Sequence, residues 1–116
     1  MLAYTHSLSR GPRVHLTLAR SRDREGIASL LSGAGLKGAE LDAARLVRFD
    51  PRERCVISAT GLIDGRQRIV GVGAIALGAG EPELLVVDPR LTEGLDDLLR
   101  RALLARVKQA SRSRTA

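Results

Sequence analysis

Cys55-Val56-Ile57-Ser58-Ala59-Thr60, then Asp64-Gly65, then Ile69-Val70-Gly71-Val72-Gly73-Ala74-Ile75-Ala76: this stretch decides the fold. Both flanks are apolar and rich in β-branched residues, which suit a pleated, half-buried surface. Asp-Gly is a favoured dipeptide for the turn of a tight hairpin. Two antiparallel strands are therefore expected here. Downstream, Gly78-Ala79-Gly80 turns the chain into Glu83-Leu84-Leu85-Val86-Val87. The unbroken apolarity of that run reads as a strand covered on both faces, and Asp88-Pro89 stops it.

Upstream, Val14-His15-Leu16-Thr17-Leu18 alternates apolar and polar residues, the period of a strand with one buried face, so His15 points outward. Ser21 is placed to cap a helix whose first turn carries Asp23 and Glu25, acids that suit the positive end of the helix dipole. Ile27, Leu30 and Leu31 form its apolar face. After Ser32-Gly33-Ala34-Gly35, a second helix is expected from Ala39 to Phe49, with Leu41, Ala44, Arg45 and the pair Leu46 and Phe49 at helical spacing, ending at Asp50-Pro51. The last element has Leu95, Leu98, Leu99, Ala102, Leu103 and Val107 on one stripe, a long amphipathic helix with Thr92 as N-cap. The order is strand, helix, helix, strand, strand, strand, helix: an α+β fold built on a mostly antiparallel four-stranded sheet. Residues 1–13 lack a sustained period and read as a flexible arm. Residues 14–110 form the single domain, and 111–116 a disordered basic tail.

A chain of 116 residues buries one modest core. With aromatics at 2%, that core is made of Leu, Val, Ile and Ala, and the stacking faces needed for single-strand or RNA-loop recognition are missing. The net charge of +6 is carried by arginines at 10, 13, 20, 22 and 24 and by Arg101, Arg106, Lys108, Arg112 and Arg114. Such a balance permits phosphate-bearing partners. Cys55 is the only cysteine, which excludes an intramolecular disulfide. Neither His6 nor Cys55 stands at metal-ligand spacing to His15, so no metal site is expected. No apolar run approaches the roughly 20 residues of a membrane span, and the first residues lack a signal-peptide core, so a soluble cytoplasmic protein is expected.

From Val14 to Val107 this order resembles the front part of the GNAT superfamily of acyl-CoA-dependent N-acyltransferases. The resemblance is carried by the opening strand followed by Asp23-Arg24-Glu25-Gly26-Ile27, by Ile69-Val70-Gly71-Val72-Gly73, and by Glu83-Leu84-Leu85-Val86-Val87-Asp88-Pro89 entering a Leu-rich helix. It implies acetyl-CoA or another acyl-CoA as co-substrate, with a small-molecule or protein amine as acceptor. Leu85, Val86 and Val87 would contact pantetheine, and Thr92, Gly94 and Leu95 would face the diphosphate, where free backbone N–H groups and the helix dipole favour an anion. Glu83 would take the proton from the amine.

The pyrophosphate segment Arg90-Leu91-Thr92-Glu93-Gly94-Leu95-Asp96-Asp97 is shorter than the family's and keeps one clear glycine, Gly94. Glu93, Asp96 and Asp97 add negative charge there, which opposes a diphosphate. The only tyrosine, Tyr4, matches no family position for a general acid. The family continues with further strands, so the strand 83–87 is expected to carry an open apolar edge. Either the N-terminal arm covers that edge or two chains pair there as a homodimer. The competing readings are an N-acetyltransferase, a non-catalytic dimerisation or regulatory module of the same fold, and, more remotely, a basic nucleic-acid-binding protein.

Overall fold

The computed structural model describes residues 3–7 and 13–115. One antiparallel sheet runs in the order β1 (Ala3–Ser7), β2 (Arg13–Leu18), β3 (Arg54–Ile63), β4 (Arg66–Ala76), β5 (Leu84–Val87). Between β2 and β3 lie a 3-10 turn, Ser21–Asp23, and the helices α1 (Arg24–Gly33) and α2 (Ala39–Val47). After β5, a second 3-10 turn, Pro89–Leu91, leads into α3 (Thr92–Thr115). The chain is thus α+β with an antiparallel sheet, as expected.

The β3–β4 hairpin closes as its sequence dictates. Asp64 (φ 52°) and Gly65 (φ 77°) are both left-handed, the conformation whose twist matches that of the flanking strands. One irregularity interrupts the ladder: Ala59 faces Gly71 while Thr60 faces Ile69, so Val70 is an extra, bulged residue on β4. Its carbonyl accepts the N–H of Asp88 at 2.7 Å. The bulge shifts the alternation, so that Val70 packs on one face with Ile75 while Ile69 joins Val72 on the other.

Helices cover both faces. α3 lies on one, where Leu95, Leu99 and Leu103 are fully buried against Val14, Leu16, Ile57 and Val70. Its close approach depends on two bare positions of β4. A Cβ on Gly71 would lie 2.8 Å from Leu99, and one on Gly73 would lie 2.7 Å from Leu103. α1 and α2 cover the other face through Ile27, Leu30, Leu31 and Ala43, packed on Val56, Val72 and Ala74. Gly26 performs the same service there, since a Cβ would meet Ile69 at 2.5 Å.

Three expectations need correction. The segment 1–13 is not wholly a loose arm: Ala3–Ser7 pairs residue for residue with Arg13–Thr17 and adds a fifth strand. It does so at the edge opposite β5, so it cannot cover β5. The final helix does not end near Ala110 but continues to Thr115. β5 is covered on both faces, as expected, and its residues stay half-buried because no described strand pairs with its outer side. Ser21 opens the 3-10 turn instead of capping α1; the carboxylate of Asp23 takes the Arg20 N–H at 2.9 Å. The side-chain cap expected of Thr92 lies outside what the structure describes.

Candidate functional site

The expected site follows β5, and the antiparallel ladder settles which way each amide points. Asp88 donates to the Val70 carbonyl, which makes that pair hydrogen-bonded. Pairs alternate along an antiparallel ladder. Val72·Val86 is therefore bonded, while Gly71·Val87 and Gly73·Leu85 are not. The N–H and C=O groups of Leu85 and Val87 consequently face the open edge, and those of Val86 face β4. Of the three residues expected to meet a pantetheine arm, two turn their backbone groups to an edge that no described strand pairs with, and one does not. The side chains of Leu85 and Val87 turn towards α3, those of Leu84 and Val86 towards α1 and α2.

At the start of this strand, Glu83 donates its N–H to Ala74 (2.9 Å) and its carboxylate pairs with Arg54, whose Nη2 lies 3.3 Å from Oε2. About half of each side chain is exposed, so the pair is wet and screened. Glu83 lines a cavity of about 300 Å³ with Asp42, Arg45, Leu46, Arg54 and Leu84, between α2 and the sheet. Arg54 had no signal in the sequence, because its partner is 29 positions away and meets it only through the β3–β4–β5 order.

The other end of β5 is more tightly built. Asp88 is nearly buried, and Arg90 binds it through its backbone N–H (2.9 Å), Nε (3.1 Å) and Nη2 (3.0 Å). The Arg90 guanidinium holds the Asp88 carboxyl below the usual carboxylate range, and burial opposes it only in part. This Asx-type turn directs the chain from β5 into α3. Gly94, the third residue of α3, takes φ +89°, so the regular part of the helix begins at Leu95. The Leu95 side chain is buried beneath Gly71, which leaves only its backbone to serve a diphosphate. Of the acids expected to oppose an anion, Asp97 is paired with Arg101 at 2.9 Å.

Cys55 is buried against α3, and burial pushes its thiol up despite the nearby Arg106. Among the described residues no group of three or more His, Cys, Asp or Glu side chains could hold a metal ion. No described helix is long and apolar enough to cross a membrane. No family model, curated protein or solved structure matches the chain.

Proposed function

We propose that this chain is an acyl-CoA-dependent N-acyltransferase of GNAT type. One observation carries the reading: among the described residues no strand pairs with the outer amides of Leu85 and Val87, along a strand that a single 3-10 turn joins to the start of α3. An extended, amide-bearing arm can add to such an edge as a further strand would. Acetyl-CoA or another acyl-CoA would supply a thioester, an acyl group already activated for attack by an amine. The edge N–H of Leu85 or Val87 would donate to the carbonyl oxygen as negative charge develops on it. Glu83, beside its cavity, would accept the amine proton directly or through one water, after the acceptor displaces Arg54. As the C–N bond forms the C–S bond would break, and the departing CoA thiolate would take a proton from solvent. The N-terminal turn of α3 around Gly94 and Leu95 would receive the diphosphate, with Asp97 already paired with Arg101. Calorimetric titration with acetyl-CoA tests this: saturable heat and thermal stabilisation support it, and neither at millimolar ligand rejects it.

A second reading uses the same edge. Two copies pairing β5 to β5 would satisfy the Leu85 and Val87 amides reciprocally about a two-fold axis. The paired Glu83 and Arg54 favour it, since the carboxylate is already engaged. The two readings compete for the same backbone groups. A dimer seen by light scattering that dissociates on adding acetyl-CoA would place both at this edge; a dimer indifferent to the coenzyme would separate them.

A further inference from the structure

On the α1 side of the sheet, at the Asp88 end of β5, an open cleft of about 740 Å³ is bounded by α1, the start of β4 and the turn into α3. Its volume lies within the range of small-molecule sites. Gly26, Ser29 and Gly33 line the helical wall. Spacings of three and four put them on one face of α1, and their small side chains keep that wall low. Opposite stand Thr60 and Gln67, beside the β4 bulge.

The charges of this cleft are unequally satisfied. Two carboxylates border it, and both are turned to internal work. Asp23 accepts from the Arg20 N–H at 2.9 Å and the Ser58 hydroxyl at 3.3 Å, and Asp88 is held by Arg90. Three guanidiniums also border it: Arg22, Arg68 and Arg90. Arg90 is committed to Asp88, whereas neither Arg22 nor Arg68 forms an ion pair among the described residues. Two guanidinium forks with no ion-pair partner among the described residues, Arg68 reaching Asp88 only by longer-range attraction, thus border a concave space that also offers the Ser29 and Thr60 hydroxyls and the Gln67 amide. We infer that this cleft binds a phosphate group of a small molecule, with Arg22 and Arg68 as its charged contacts. Planar guanidinium forks match the oxygens of a phosphate, and several such bonds to one dianion are mutually reinforcing. The concave shape and the lack of aromatic faces in the cleft favour a metabolite-sized ligand over a nucleic-acid strand.

The inference does not rest on the acyl-CoA reading, which is reported by the amides of Leu85 and Val87 on the open edge. The test is titration of the ¹⁵N-labelled full chain with sodium pyrophosphate, followed by amide shifts. Saturable, salt-sensitive shifts are expected at Gly26, Ser29, Gly33 and Arg68. The double variant Arg22→Gln, Arg68→Gln should bind roughly tenfold more weakly or worse, with a circular-dichroism melt like that of the parent. These arginines are exposed surface residues. The single Arg68→Gln variant gives a second reading should the double one melt early. Acetyl-CoA that competes with pyrophosphate at these amides would identify the coenzyme's own phosphates as the source. Pyrophosphate shifts that persist beside saturating acetyl-CoA would identify a separate phosphorylated ligand. No saturable shift at these four amides, or undiminished affinity in a folded variant, would overturn the assignment.

Discussion

The tripeptide Asp-Pro-Arg occurs twice, as Asp50-Pro51-Arg52 before β3 and as Asp88-Pro89-Arg90 after β5. Both copies fold alike. In each, the aspartate receives the arginine's backbone N–H, at 3.0 Å in the first and 2.9 Å in the second, and then its side chain. Both carboxyls are held below the usual range by that arginine. Their surroundings differ: the Asp50 side chain is 38% exposed and the Asp88 side chain 13%. The tripeptide fixes the turn, and tertiary position decides what the turn is worth. The first leads on to Arg54, which engages Glu83 at one end of β5; the second joins the other end to α3 and walls the anion cleft.

The contrast can be broken by mutation. The largest effect is expected at the Glu83 end, where the turn's product is chemical. Glu83→Gln should lower acyl transfer about a hundredfold while leaving acetyl-CoA binding and the melting temperature as they were; equal loss of both would make Glu83 a structural residue. Next comes Asp88→Ala, which orphans Arg90 and frees the turn. It should cost about 2 kcal/mol, some thirtyfold in the folded-to-unfolded ratio, read from urea unfolding.

Acid sharpens the same point. A carboxyl whose folded pKa is depressed contributes stability that is present above its unfolded value, about 4, and is lost as pH falls through the lower folded value. Asp88 has that sign. Melting temperature followed from about pH 6 to pH 2 should fall more steeply in the parent than in Asp88→Asn; parallel curves would deny Asp88 its role. The smallest effect belongs to Asp50→Ala, for which no measurable change in stability is expected, since water and the exposed Arg52 replace each other readily. A loss equal to that of Asp88→Ala would erase the distinction between the two turns.

How much was legible in the sequence follows the same division. The hairpin through Asp64-Gly65 and the leucine stripe of α3 are local patterns, and both were readable. β1 was not, because an edge strand needs only backbone pairing, and Ala3–Ser7 shows no apolar alternation. Gly71 and Gly73 read as strand residues, yet their use is to let α3 approach the sheet, which depends on Leu99 and Leu103 far along the chain. The site divides likewise. Glu83, Leu85 and Val87 were named from one contiguous run. Arg54 was not, and neither was the gathering of Arg22, Arg68 and Arg90 from three separate elements around one cleft. Charge composition signalled that phosphate would suit the molecule without saying where.

The open edge of β5 bears the whole functional reading, and amide hydrogen exchange measures it residue by residue. With saturating acetyl-CoA, exchange at Leu85 and Val87 should slow while Val86, already bonded to β4, stays nearly constant. Unchanged exchange at Leu85 and Val87 under saturating coenzyme would contradict the assignment of that edge to an acyl-CoA.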